Sequence, residues 1–353
     1  MTKYDVVIVG GGPAGATAAA ISAESGLRTL IIERAFFPRD KVCGDCLNPA
    51  CWEVFDRLGI ASKIAALPSS RLQWVEFVNL RGVRIRRPLP QDEHSEVAVR
   101  RRLLDDALLN RARDLGAEVW HGEPVTGLTE GWHVQTETRT VHAEFVIAAD
   151  GRNSSVARFL HHFPQTKTDR IAYQTHFAAN WEPHVALELW PQGYLGRQTV
   201  DQDTVGVCVV SRPARAEEFR RMIAKRFGLP SDHRWNSIAP LTRKPVMTNH
   251  ENLFYVGDAA RVVEPFTGEG ILYALRSGLL AAETIKSSIA NGVDCRQEEY
   301  WEAHRRLYSG RLWINRLARW SVLHPRLSSN ALELLRFFPG PLLYLTKKVV
   351  GSQ

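Results

Sequence analysis

The chain has 353 residues, 44% hydrophobic and 24% charged, so it can bury a large core and has the length of about two domains. A net charge of +7 points to an anionic ligand, a membrane or nucleic acid, but no interleaved aromatic and basic pattern accompanies it, and nucleic acid is excluded as a partner. No apolar run reaches the roughly 18 residues of a membrane span, and three consecutive glycines break the uncharged stretch 6–21, which excludes a spanning helix or signal peptide there.

In chain order, "YDVVIVG" is a β-branched strand, "GGPAG" a tight turn, "ATAAAISAESG" a small-residue helix ending at Gly26, and "LRTLIIE" a second buried strand. Together they make one βαβ unit. Residues 52–67 read as helical, and 72–99 alternate as short antiparallel strands. The segment "RRLLDDALLNRARDLGA" has helical spacing, stops at Gly116 and leads into the strand "EVWHG". "EFVIAAD" is a buried strand that reaches Asp150 and Gly151. Runs between 170 and 211, "VALELW" and "TVGVCVV" among them, predict a second, mainly antiparallel sheet. "NLFYVGDAA" returns to the parallel-strand pattern, "GILYALRSGLLAAETIKSSIA" is a long helix, and arginine-rich helices follow from 297.

Gly10, Gly12 and Gly15 form G-x-G-x-x-G between a strand and a helix, and the next strand ends at Glu33. In that setting the first glycine makes the tight turn and the second, followed by Pro13 and Ala14, lets backbone approach a pyrophosphate. The third allows helix to pack on strand. Glu33 is placed to accept hydrogen bonds from ribose hydroxyls. The fingerprint alone does not separate NAD from FAD.

Two further segments do. "VIAADGRNSSVAR" (146–158) and "NLFYVGDAARVVEPFTGEGI" (252–271) resemble the Asp-Gly and Gly-Asp segments of the FAD-dependent group A monooxygenases and their relatives. The resemblance implies an α/β fold with a Rossmann-like, glutathione-reductase-type FAD-binding domain, an inserted mainly antiparallel β substrate domain and C-terminal helices. It implies that Asp258, after Gly257, meets the ribityl chain of FAD. Pro265, Gly268, Glu269, Gly270 and Ile271 would lie at the isoalloxazine ring, with Asp150 and Gly151 also at the cofactor. The helix after Gly270 would aim its positive end at the ring and stabilise the reduced, negatively charged flavin. By the same resemblance Arg101 contacts the cofactor, with Arg100 and Arg102 as neighbouring alternatives. The backbone of Val125 meets the adenine, and Arg34 and Arg39 meet phosphate or ribose oxygens. The implied boundaries are 1–65, 96–160 and 250–290 for the FAD-binding domain, 66–95 and 161–249 for the substrate domain, and 291–353 for a helical segment.

The five cysteines, at 43, 46, 51, 208 and 295, have no disulfide-framework spacing and read as reduced thiols. Cys43 and Cys46 form CxxC within "FPRDKVCGDCLNP", open to three readings: a flavin-side loop, a redox pair, or half of a metal site. No second CxxC completes a zinc site, so no metal is expected, and Pro49 favours a loop over the helix that a thioredoxin-like pair opens. The string resembles "K-x-C-G-D-G" of the geranylgeranyl reductase branch, which implies that Cys43 lies near the flavin as a candidate catalytic residue. Cys46 stands where that branch commonly has glycine.

"PFTGEGI" also resembles that branch, and Leu272 replaces the asparagine common in aromatic hydroxylases. The halogenases' W-x-W-x-I-P signature is missing, and so is the reductases' Y-x-W-x-F-P motif; "LWPQGYLGRQ" (189–198) occupies that region. The resemblance implies an FAD-dependent oxidoreductase that reduces double bonds of a hydrophobic, isoprenoid or lipid-like small molecule. The alternatives are a monooxygenase acting on an aromatic or lipid-like compound and a non-enzymatic flavin-binding redox sensor. NAD(P)H or another reduced carrier would supply electrons, although no second glycine fingerprint exists for it. Tyr173, His176 and Glu188 lie in the substrate strands, and none stands out as an acid or base. The tail "LELLRFFPGPLLYLTKKVV" (332–350) is read either as core packing or as a basic amphipathic surface meeting membrane. The chain is therefore read as cytoplasmic, with peripheral membrane contact as the second option.

Overall fold

In a computed structural model of the chain, the described residues are 2–92, 95–129, 131–165, 168–292 and 297–350; Cys295 lies outside them. The first sheet is built on Thr2–Val9, which pairs in parallel with Thr29–Glu33 on one side and with Thr140–Ala148 on the other. Glu118–His121 extends it in parallel beyond Thr29–Glu33, and Leu253–Tyr255 lies parallel to the end of Thr140–Ala148. The central strands read as continuous apolar runs because both faces are covered, as parallel sheets require. Two antiparallel strands, His133–Thr136 and Val125–Thr129, pair beside the start of Thr140–Ala148.

Helix Pro13–Glu24 is buried from Pro13 to Ser22 and is almost all alanine, glycine and small polar residues. Small side chains let it lie against Arg101–Asp114 and the long helix Gly270–Asn291. A Cβ at Gly278 would stand 2.2 Å from the Ala14 carbonyl oxygen, so glycine there sets the close approach of the two helices.

The second sheet has seven strands in the order Asn236–Ile238, Ile171–Ala178, Thr204–Ser211, Gly193–Thr199, His184–Trp190, Trp74–Val78 and Arg84–Pro88. It is antiparallel except where His184–Trp190 runs parallel to Trp74–Val78. Its faces alternate as the pleat demands. Leu195, Val207 and Val209 pack under helix Pro213–Arg226, while Tyr194 and Val210 turn to the opposite side. The run 72–99, expected as one set of strands, divides. Val97–Val99 leaves the seven-stranded sheet and pairs with Cys46–Leu47 and Ser69–Arg71 in a small sheet of its own. Helices Gln297–Leu307, Leu312–Leu323, Pro325–Phe337 and Gly340–Val350 complete the chain. Among the described residues no helix is long and apolar enough to cross a membrane.

Candidate active site

One cavity of about 950 Å³ runs from the glycine turn, past the Cys43 loop, to the C-terminal helices. At its first end Gly10 has φ +105°, and a Cβ there would meet the Ala149 carbonyl oxygen at 2.6 Å. Gly15 faces inward instead: a Cβ would fall 1.9 Å from the Gly10 oxygen, so it serves the packing of helix on turn and does not line the cavity. Gly12 is open: the nearest atom to a Cβ at that position would be Arg39 Nη2, at 3.6 Å. Helix Pro13–Glu24 begins there with no side-chain cap and no acid in its first turn, leaving its positive end for an anion. Glu33 accepts hydrogen bonds from Gly11 N–H (2.7 Å) and Ala35 N–H (2.9 Å) and lines the cavity. Each carboxylate oxygen retains acceptor capacity.

Cations gather along the same wall. Arg101 grips the buried carboxylate of Asp105 with Nε at 2.7 Å and Nη2 at 2.8 Å. Arg39 Nη1 lies 3.3 Å from the same carboxylate. Arg152 Nη2 donates to Asp258 Oδ2 at 3.0 Å. Burial lowers the Lys41 amine to about 8, although nearby Asp258 pulls the other way. Asp150 Oδ2 caps helix Ser155–Phe159 through Ser155 N–H and Val156 N–H. Three buried atoms of this wall, Arg39 Nη1, Asp150 Oδ1 and Arg152 Nε, have no hydrogen-bond partner. A diphosphate with flanking hydroxyls would satisfy such a set, so the residues present fit FAD.

The Cys43 loop is held from the second sheet. Gln174 Oε1 accepts from Cys43 N–H at 3.0 Å, and its Nε2 donates to the Cys43 carbonyl and to Asp45 Oδ2. Asp45 sits at φ +56°, fully buried, where His176 Nε2 (2.7 Å) and Gln198 Nε2 (3.3 Å) also reach Oδ2. Both thiols line the cavity and are free. Burial raises the Cys43 thiol, opposed by the Arg101 guanidinium, and raises Cys46 well above the ordinary range. Thiols held protonated are poor redox partners. No cluster of metal-ligating side chains occurs among the described residues.

Gly268, with φ +70°, Gly270, Ile271 and Pro265 reach the cavity, but the Glu269 side chain does not. Its carboxylate is turned to Arg311 Nη1 (2.8 Å) and Asn315 Nδ2 (3.1 Å), away from the cavity where the ring contact was expected. Arg34, Val125, Gly151 and Gly257 line the cavity too, whereas Arg100 and Arg102 do not. Of the substrate-strand polar residues, Glu188 is tied to Arg197 and Arg226, Tyr173 lies under Arg220, and His176 serves Asp45. Beyond the loop the walls are apolar: Phe77, Leu187, Leu189 and Tyr194 from the sheet, then Leu317, Trp320, Leu335 and Leu345 from the last helices. Leu317 and Trp320 are also 39% and 45% exposed, which marks where the cavity meets the surface.

The structure adds Lys41, Asp45, Glu96, Arg152 and Gln174 to the residues expected from sequence. Only Lys41, Asp45 and Arg152 carried a signal there, as polar residues inside the quoted motifs.

The family described as FAD binding domain matches residues 3–290. The chain is 32% identical over 317 residues to a menaquinone reductase of Mycolicibacterium smegmatis, covering 81% of this chain and 77% of that one. It is 31% identical over 338 residues to a digeranylgeranylglycerophospholipid reductase of Methanoculleus marisnigri, covering 84% and 79%. Among solved structures, a geranylgeranyl bacteriochlorophyll reductase-like protein of Thermoplasma acidophilum superimposes with a TM-score of 0.80 at 24% identity, over 95% of this chain and 91% of that one. A flavin-dependent brominase superimposes with a TM-score of 0.78 at 20% identity, over 99% and 94%. Both of these likenesses establish the fold.

Proposed function

The chain belongs to the FAD-binding-domain family, and from that membership we propose that it is an FAD-dependent oxidoreductase that saturates double bonds of a hydrophobic, isoprenoid or similar lipid. The observation that carries the reading is a cavity shared by both ends of the site. Its cationic, glycine-walled end suits a dinucleotide, and its apolar end suits a long hydrocarbon chain. The relatives named as reductases of menaquinone and of a digeranylgeranyl lipid support the same substrate class.

In this reading Gly12 and the start of helix Pro13–Glu24 hold the pyrophosphate, Glu33 the ribose, and Arg39, Arg101 and Asp258 the middle of FAD. Gly268 and Gly270 bring backbone to the ring. Bound FAD, once reduced, supplies the hydride. Around it, Cys43 lines the cavity on a loop held by Gln174, and the apolar walls would exclude water from the reacting carbons. Electrons come from NAD(P)H or another reduced carrier that visits the flavin. The first sheet, over 1–65, 96–160 and 250–290, serves as the FAD-binding domain; the second, over 66–95 and 161–249, serves the substrate. The C-terminal helices meet an anionic membrane surface, from which the lipid enters between Leu317 and Trp320.

The test is chemical. Photoreduced enzyme kept anaerobic should add two hydrogens, and no oxygen, to a polyprenyl lipid, as read by mass spectrometry. A product one oxygen heavier, formed only in air and labelled from oxygen-18 gas, would instead make the protein a hydroxylase.

A further inference from the structure

Buried carboxylates in this molecule are paired. Glu76 meets three arginines, Glu264 is held by Arg170, Glu269 by Arg311 and Asn315, and Asp45 by amides and an imidazole. Glu96, half-buried, stands apart from them. Its backbone oxygen accepts from Leu72 N–H at 3.0 Å, but its carboxyl has no hydrogen-bond or ion-pair partner among the described residues. It precedes strand Val97–Val99, so the two-residue alternation puts it on the same face as Ala98, which stands opposite Cys46. That face carries the apolar cluster of Leu72, Val75, Leu89 and Val350, and Glu96 is among the residues that line the cavity. Glu96 is half-buried, and the cavity wall around it is largely apolar.

A polar group in such a place costs free energy unless something bonds to it. We propose that Glu96 is a substrate-binding residue whose protonated carboxyl donates a hydrogen bond to a neutral oxygen, a carbonyl above all, on the lipid that fills the cavity. This rests on the lipid-cavity reading and narrows it, since a carboxyl without a cation beside it disfavours a second negative charge. Burial alone raises the pKa of this carboxyl to about 7, so the acid form is populated at neutral pH. The titratable groups that sense it are the thiols of Cys46 and Cys51; no basic side chain among the described residues lowers it. A ligand that displaces water would push the carboxyl further toward the neutral form.

The experiment compares two probes of nearly one shape on the FAD-loaded enzyme: phytone, a saturated isoprenoid methyl ketone, and pristane, in which a branched carbon replaces the carbonyl. Each displaces diphenylhexatriene, followed by fluorescence. At pH 6 wild type should prefer the ketone by about tenfold, the worth of one net hydrogen bond. The preference should fade by pH 8.5, because the acid loses its donor proton as pH rises through about 7. Glu96→Gln, which keeps an N–H donor, should retain a preference that no longer varies with pH. Glu96→Leu should bind pristane at least as well as wild type does and lose the preference at both pH values. If both probes bind wild type equally at pH 6, or Glu96→Leu still prefers the ketone, the role of Glu96 is overturned while the lipid cavity stands. If neither probe displaces diphenylhexatriene, the lipid-cavity reading falls, and this inference with it.

Discussion

A methyl at position 12 has room, and a methyl at position 15 does not; that contrast turns the glycine turn into a test. Gly12→Val places atoms where backbone leaves space for a pyrophosphate, with Arg39 Nη2 at 3.6 Å as the nearest neighbour of its Cβ. The protein is expected to fold with its melting temperature nearly unchanged and to lose most of its flavin. Gly15→Ala drives a Cβ to 1.9 Å from the Gly10 oxygen and should fail to accumulate as folded protein. Flavin absorbance per chain and a thermal melt read both, and full FAD occupancy in Gly12→Val would remove this turn from the cofactor site. Such residues were legible in the sequence because their chemistry is local: turn, strand end and helix start lie within 24 residues. Glu96 was not legible. Its environment is made by Leu72, Cys46 and Val350, and no window of sequence contains all three.

At the scale of elements, the loop carrying Pro265, Gly268 and Gly270 is fixed by side chains that come from afar. Arg170, at the entrance to strand Ile171–Ala178, donates to both oxygens of Glu264 at 3.0 and 2.7 Å. Helix Leu312–Leu323 contributes Asn315, whose Oδ1 accepts from Glu264 N–H, and the preceding Arg311 holds Glu269. Thus sheet, glycine-containing loop and C-terminal helices are joined by two buried ion pairs. Removing one partner leaves the other charged and desolvated, which costs on the order of 3–5 kcal/mol. Arg311→Met should therefore lower the urea midpoint sharply, and adding Glu269→Gln should recover much of the loss because no lone charge remains. An unchanged midpoint in Arg311→Met would show that the pair does not anchor the loop. The family pattern pointed to Glu269 as part of the ring site, and it sits in that loop. The direction of its side chain was illegible because a guanidinium 42 residues later decides it. The small sheet of Cys46–Leu47, Val97–Val99 and Ser69–Arg71 escaped for a similar reason: short strands reveal no partner by alternation alone.

For the whole molecule, the open question in the tail sequence was whether its apolar residues pack inward or face out. They do both. Leu335, Leu342 and Leu345 line the cavity, while Leu327, Leu334, Phe337, Phe338 and Tyr344 are 56%, 65%, 74%, 71% and 58% exposed. Between 312 and 350 the cations are four arginines and two lysines, against the single carboxylate of Glu333, which is occupied by Arg81. Exposed apolar side chains and an excess of cations in one segment, beside the point where an apolar cavity meets the surface, suit a leaflet of anionic lipid. Near such a surface each basic residue contributes about 1 kcal/mol, and a buried phenyl side chain about 1.5–3 kcal/mol. The FAD-loaded protein should then cosediment with vesicles containing phosphatidylglycerol, more weakly with pure phosphatidylcholine, and more weakly again in high salt as the charges are screened. Phe337→Ser with Phe338→Ser should reduce vesicle binding by tenfold or more while flavin content and melting temperature hold, since both rings are already in solvent in the folded chain. Binding that is indifferent to lipid charge and unaffected by the double substitution would leave this face without a membrane role.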